Sequence, residues 1–334
     1  MNMVPMGTAG IKVSELCLGT MTFGNEADEA TSRAIMDRAW DAGINHFDTA
    51  NIYNKGVTEE IVGRWLTDRR EDIVLASKVY FPTGPGPNQR GGSRRHIKLE
   101  VEKSLKRLQT DWLDILYLHH WDEDTPIEES LSALTTLVDE GKVHYLGVSN
   151  FSAWQTIHAL DMAHANGFTP ISCIQPMYNL VKRTAEIEIL PMAEYAGFAV
   201  FPYSPIGAGV LTGKYAQGGK GRLDESQMYA ERYKGDEYAR ISVAFAEKAQ
   251  ALGVSPAALA VAWVASHPNV TAPIIGARNL DQLNDTLTCL EIGLDDGKRA
   301  EISALSPTPP LPTDREPMGT TLAQVKTGSH AGSK

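Results

Sequence analysis

The sequence predicts an α/β protein, a (β/α)8 TIM barrel with an N-terminal hairpin and extra C-terminal helices. Three observations carry this expectation. Short apolar strand-like runs alternate with amphipathic helical segments along the whole chain, enough for eight strand–helix pairs. Only one long insertion, residues 207–235, breaks the alternation. A doubly wound dinucleotide fold would place Gly-x-Gly-x-x-Gly between its first strand and helix, and Gly19-Thr20-Met21-Thr22-Phe23-Gly24 lacks that spacing.

Each element has its own local reason. A hairpin around Gly7 and Gly10 is expected over 4–12. Residues 13–20 read as the first strand, followed by a helix over 28–42 with Ile35, Met36, Ala39 and Trp40 on one face and Gly43 as its stop. The second strand, 44–47, leads to a helix over 58–67. Residues 73–76 are a continuous apolar run, fit for a strand covered on both faces. A Pro- and Gly-rich loop over 82–95 contains Ser93, an N-cap for a helix carrying Ile97, Val101, Leu105 and Leu108 on one side. Strand four covers 113–118, and the next helix begins at Pro126, carries Ile127, Leu131, Leu134 and Val138, and stops at Gly141. The remaining strands are 143–148, 171–174, 198–201 and 272–275, with helices over 153–165, 184–195, 237–252, 256–266 and 280–290. Residues 1–305 read as one catalytic barrel domain. Residues 306–334, opening with Pro307, Pro309, Pro310 and Pro312, read as an extended or disordered tail.

Composition excludes several classes. The 334 residues are 43% hydrophobic and 22% charged, which suits one barrel with an ordinary core. A net charge of -10 and a pI near 5.4 argue against a nucleic-acid surface. No apolar run reaches the roughly eighteen residues of a membrane span, and the first residues have neither the basic nor the apolar part of a signal peptide. Cys17, Cys173 and Cys289 lack metal-ligand spacing and read as small buried hydrophobes, in keeping with a reducing cytoplasm. The oligomeric state stays open.

In a barrel all strands end at one mouth, where the loops build the active site. The strand ends here deliver Asp48 and Tyr53, Lys78, His119, Ser149-Asn150, Gln175, Tyr203-Ser204 and Gly276-Ala277-Arg278. A tyrosine hydroxyl titrates near about 10, and a neighbouring ammonium lowers that value by stabilising the phenolate. Asp48 keeps Lys78 charged and placed, Tyr53 gives a proton to a substrate oxygen, and His119 orients the same carbonyl. Such a site polarises a carbonyl but holds no electron source, so a bound nicotinamide is the most economical hydride donor.

The other strand ends suit that cofactor. Ser149, Asn150 and Gln175 offer hydroxyl and amide groups to a carboxamide, and Tyr203 offers a ring to stack on nicotinamide. The loops after strands seven and eight carry Ser204, Gly207, Gly209, Gly213, Lys214, Arg222, Gly276 and Arg278, residues that approach and neutralise phosphate. A guanidinium near the adenosine ribose favours a 2′-phosphate, hence NADP(H) over NAD.

At this point the residues resemble a family. The run from Gly43 to Tyr53 is similar to the first signature of the aldo-keto reductases. The similarity continues through Lys78, Leu116-Tyr117-Leu118-His119, Gly147-Val148-Ser149-Asn150-Phe151, Gln175-Pro176-Met177-Tyr178-Asn179, Tyr203-Ser204-Pro205-Ile206 and Ile274-Ile275-Gly276-Ala277-Arg278-Asn279. It spans about residues 13–290 and is closest to the family's bacterial-type and sugar- or aryl-alcohol-related branches. The resemblance implies an NADP(H)-dependent barrel oxidoreductase with Asp48, Tyr53, Lys78 and His119 as a catalytic tetrad and no metal. Gly19, Thr20, Met21, Pro205, Ile206, Gln282 and Asp285 join the cofactor-binding set, and Phe23, Tyr80, His120 and Trp121 line the substrate mouth. The chain departs from the family at Asp285-Thr286, where Asp/Glu-Asn is expected at the adenine end. It departs again at His120, where many members have tryptophan directly after the histidine.

Plainer readings stand beside these. Ser149 and Asn150 could cap the following helix, although Ser152 can do so instead. Arg222, near Lys220 and Asp224, reads equally as a solvated charge, and Phe23 as core packing. His119 is preferred to His120 because the step from Asp114 matches the family strand. The expected function is NADPH-dependent reduction of a small aromatic or aliphatic carbonyl, or a keto-sugar, to the alcohol. The alternative is a non-catalytic NADP(H)-binding redox sensor resembling potassium-channel β-subunits. An isomerase or lyase would need a carboxylate base or a metal and no nicotinamide.

Overall fold

A computed structural model describes residues 1–313, apart from the side chains of 216 and 217. The chain opens with an antiparallel hairpin, β1 (Met3–Pro5) and β2 (Lys12–Ser14). The first barrel strand is shorter than the sequence suggests: β3 is Cys17–Gly19 only, because Val13 and Ser14 pair within the hairpin. The Ser14 hydroxyl donates to the Leu16 carbonyl at 2.6 Å, and the Glu15 amide returns to Asn2, so the chain bends here before entering the barrel.

The alternation then runs α1 (Glu29–Asp41), β4 (His46–Asp48), α2 (Val57–Leu66), β5 (Val74–Val79), α3 (Arg94–Leu108), β6 (Leu113–Leu118) and α4 (Ile127–Asp139). It continues through β7 (Val143–Ser149), α5 (Ala153–Asn166), β8 (Ile171–Gln175), α6 (Ile189–Ala196) and β9 (Ala199–Val200). The insertion after β9 folds into short 3-10 turns and two short helices, α7 (Arg222–Glu225) and α8 (Gln227–Arg232). Beyond it come α9 (Asp236–Leu252), α10 (Pro256–Ala265), β10 (Ile274–Ile275), α11 (Leu280–Leu287) and α12 (Asp296–Ser303). The expected tail begins as 307–313 without helix or strand; from 314 on it lies outside the described residues.

The helix ends follow their chemistry. Asp28 caps α1 through the Thr31 amide, Ser93 caps α3 through His96, and Ser152 forms a capping box with Gln155 on α5. Ser152 thereby leaves Ser149 and Asn150 free of the capping role. Pro126 sits at the N-cap of α4 rather than inside its first turn. On α4 it is Leu137, not Val138, that completes the fully buried stripe with Ile127, Leu131 and Leu134.

Eight parallel strands form the sheet in the order β10-β3-β4-β5-β6-β7-β8-β9. The two ends close on each other: Val200 O accepts from the Thr271 amide at 2.9 Å, and Pro202 O from Ile274 at 2.8 Å. The result is a (β/α)8 barrel with two apolar layers. The larger lies between strands and helices and includes Phe47 stacked on Trp65 at 5.0 Å. The smaller fills the barrel itself with Cys17, Ala76, Ile115, Tyr117, Cys173 and Phe201, and extends to Met6 and Val13 of the hairpin. The hairpin therefore plugs the end where the strands start. Gly7 makes this approach feasible: its φ is +56°, and a Cβ there would stand 2.4 Å from the Gly197 carbonyl.

Among the described residues no single helix is long and apolar enough to cross a membrane; the apolar pair α9 and α10 is bent by 95°.

The interior is packed tightly enough to be tested. A Cβ on Gly147 would lie 2.5 Å from the Tyr117 ring and 2.7 Å from Cys173 Sγ. Gly147→Ala is expected to lower stability by about 1–3 kcal/mol through overpacking. An unchanged denaturant midpoint would show that the barrel interior yields more easily than its contacts imply.

Candidate active site

The site is built at the strand ends opposite the hairpin. Asp48 closes β4, and Lys78 stands one residue before the end of β5, both buried. Parallel pairing of β4 with β5 aligns Asp48 with Ala76, which lets the long Lys78 side chain reach it. The Lys78 ammonium donates to Asp48 Oδ1 at 2.5 Å, to the Thr49 carbonyl at 2.8 Å and to Tyr53 Oη at 3.2 Å. Its three protons are thus all placed. Because Tyr53 Oη accepts from Lys78, its own proton points elsewhere. The Asp48 carboxylate is fixed from its other side by Gln175 Nε2 at 2.8 Å, from the end of β8.

Titration behaviour follows from burial and charge. Burial disfavours the Lys78 ammonium, but Asp48 and then Tyr53 outweigh it and the pKa is raised. Burial raises the Tyr53 pKa, and Lys78 offsets this only in part. The expectation that the ammonium brings the phenol below its ordinary range is therefore corrected: desolvation wins and the hydroxyl keeps its proton. His119 follows β6 with its ring 6.2 Å from that of Tyr53. Burial, then Lys78 and His120, push it well below the usual histidine range, so it is neutral at physiological pH. Its Nδ1 is buried and makes no hydrogen bond.

A second ring of polar groups borders the first. Tyr203 Oη donates to Asn150 Oδ1 at 2.7 Å, and Asn150 Nδ2 donates to the His119 carbonyl at 2.9 Å and to Ser149 Oγ at 3.1 Å. Ser149 Oγ donates to the Gln175 carbonyl. Asn150 and Ser204 hold φ near +58° and +57°, left-handed conformations that a strand end keeps only when its surroundings over-determine it.

Asp48, Tyr53, His119, Ser149, Asn150, Gln175, Tyr203 and Ser204 line one pocket of about 830 Å³, with Lys78 buried behind them. The same pocket is lined by Gly19, Thr20, Met21, Pro205, Ile206, Gly209, Lys214, Arg222, Gly276, Arg278, Gln282 and Asp285. At its rim Glu26 pairs with both Arg222 and Arg278, and Arg278 also pairs with Glu225, all at 2.7–2.9 Å. Gly207 does not line this pocket. Thr286, at the position of the departure noted above, does, and it is buried.

The expected substrate mouth needs correction. His120 lines the pocket, but Phe23 is fully buried in the layer beneath α2, where Thr58 Oγ1 donates to its carbonyl. Tyr80 turns aside to stack on His120 at 5.3 Å, and Trp121 packs against Phe151 and Trp154 outside the pocket. Their places are taken by Phe81, whose ring edge meets His119 at 4.8 Å, and by Ile52, Met228, Tyr229 and Arg232. Phe81 carried a weak signal as the first residue after Tyr80; the three residues of α8 carried none, since the insertion has no periodicity to read.

The model of the aldo/keto reductase family matches residues 15–307, so the chain belongs to that family. It is 43% identical to an uncharacterized oxidoreductase, YrpG, of Bacillus subtilis, over 87% of this chain and 91% of that protein. It is 38% identical to a probable voltage-gated potassium channel subunit beta of Oryza sativa, over 86% and 90%. It is 35% identical to norsolorinic acid reductase A of Aspergillus parasiticus, over 90% and 79%.

Removing one partner of a buried ion pair strands the other, so Asp48→Ala is expected to cost about 3–5 kcal/mol at neutral pH. Because the folded Lys78 pKa lies above its unfolded value, the stabilisation this ammonium provides is complete below about pH 10.5. It declines as pH rises through the folded pKa. Denaturation of the wild type and Lys78→Met across pH 7–12 checks this. A stability gap that shrinks well below pH 10 would refute the pairing.

Proposed function

We propose that this protein reduces a small aldehyde or ketone to the alcohol, taking hydride from NADPH and the proton from Tyr53. The observation that carries the reading is the threefold anchoring of the Lys78 ammonium against Asp48, Thr49 and Tyr53.

Burial keeps the Tyr53 proton in place until a carbonyl oxygen arrives. As that proton leaves, the phenolate forms beside a cation already oriented toward it, which lowers the barrier without reorganisation. Neutral His119 donates a hydrogen bond to the same oxygen and fixes which way the carbonyl faces. Gln175 and Asp48 keep Lys78 from following the moving charge.

The residues present fit a nicotinamide dinucleotide. The pocket is large, it carries hydroxyl and amide groups beside the tetrad, and Lys214, Arg222 and Arg278 also line it. Ser149, Asn150 and Gln175 would hold the carboxamide, Tyr203 the ring and the three cations the phosphates, with a 2′-phosphate favoured by the two guanidinia. When bound, the nicotinamide supplies the hydride that this site lacks. The three cysteines are buried free thiols, in keeping with a cytoplasmic setting.

The relatives described as probable potassium channel β-subunits support a second reading, an NADP(H)-binding redox sensor. One experiment separates the two. With aromatic aldehydes, aliphatic aldehydes and keto-sugars, Tyr53→Phe is expected to lower kcat by about 10²–10⁴ while NADPH still quenches or shifts its fluorescence on binding. Tight NADPH binding with no turnover of any carbonyl by the wild type would favour the sensor. Absence of NADPH binding would remove both.

A further inference from the structure

Four cations line the pocket, and they are not alike. Arg222 and Arg278 are held by Glu26 and Glu225 at the rim, and Lys214 lies close enough for their charges to act on it. Arg232, the last residue of α8, is different. Among the described residues no carboxylate stands within ion-pair distance of its guanidinium; neighbouring Glu231 turns to Lys234 instead. Arg232 and Arg222 share the Tyr229 ring, their guanidinia 5.4 and 5.7 Å from its centre, but Arg232 is the one whose charge reaches Tyr203. Tyr229 reaches Met21 with its hydroxyl at 4.0 Å. Burial pushes the Tyr203 phenol up to about 12, and the Arg232 charge is the main influence acting against it.

A half-buried guanidinium in a pocket costs free energy unless an anion meets it. In a chain of net charge -10, a carboxylate from the protein itself would have been easy to supply. On the strength of the carbonyl-reducing reading above, we propose that Arg232 is a specificity residue. It binds an anionic group, a carboxylate, carried by the substrate away from its reacting carbonyl. The preferred substrates are then formyl or keto acids rather than neutral carbonyls. Tyr229, with only a weak sulfur contact at its hydroxyl, offers a neutral donor beside the same anion.

The test compares wild type with Arg232→Gln on 3- and 4-formylbenzoate and their methyl esters. The expected result is that the acid-to-ester ratio of kcat/KM falls at least tenfold in the variant, as for the loss of a charge-assisted hydrogen bond. An unchanged ratio overturns the proposal. If NADPH affinity weakens while the ratio holds, Arg232 serves a dinucleotide phosphate instead, which also overturns it. Failure of the carbonyl-reducing reading would show separately, as no NADPH oxidation by the wild type with any of the four. Calorimetric binding of 4-formylbenzoate with NADP⁺ present then still decides. Affinity at least tenfold weaker in Arg232→Gln supports the anion site, whereas equal or absent binding overturns it.

Discussion

The buried contact between Asp48 and Lys78 is the constraint around which the mouth of this barrel is arranged. An ammonium and a carboxylate removed from water are each expensive, and here each is met by the other and by further hydrogen bonds: Lys78 donates to Asp48, Thr49 and Tyr53, and Gln175 donates to Asp48. That requirement draws in the Thr49 carbonyl and Tyr53 from the stretch after β4, and Gln175 from the end of β8. The barrel supplies the rigid frame that keeps five such groups in register. Without it the desolvation cost would exceed the attraction.

Around this centre the charge pattern of the pocket is graded. The tetrad end is dry, with neutral His119 and a protonated phenol, and the rim holds guanidinia clamped between carboxylates. Such a gradient sorts ligands by where their charge lies, uncharged reacting groups inward and anionic groups outward. Arg232 is the exception, a cation beside Tyr229 and Tyr203 that has no carboxylate partner among the described residues.

Much of this was legible in the chain itself. Strand-sized apolar runs ending in Asp48, Lys78, His119, Ser149 and Gln175 are readable because a parallel barrel turns the end of every strand toward one mouth. The helix caps at Ser93 and Ser152 were readable because a single side chain decides them. Boundaries were less so: Val13 and Ser14 are buried and extended as a barrel strand needs, and only pairing with Met3 and Val4 shows where they belong. The substrate mouth was least legible. Whether Tyr80 or Phe81 faces the pocket depends on how the chain leaves β5, and Phe23 is drawn inward by Thr58 on a helix thirty-odd residues away. The sign of the Tyr53 shift could not be read either, since the adjacency of a lysine was visible but the dryness around both groups was not.

The N-terminal hairpin has an effect that reaches the other end of the molecule. With Met6 and Val13 set into the strand-start end, and Tyr117, Cys173 and Phe201 filling the space above them, the barrel is a blind hole. Traffic has one doorway. On the function proposed above, the cofactor and the carbonyl share that doorway, and whichever is seated nearer Asp48 arrives first and departs last. A three-residue strand pairing far from the chemistry thereby imposes a sequence of events on it.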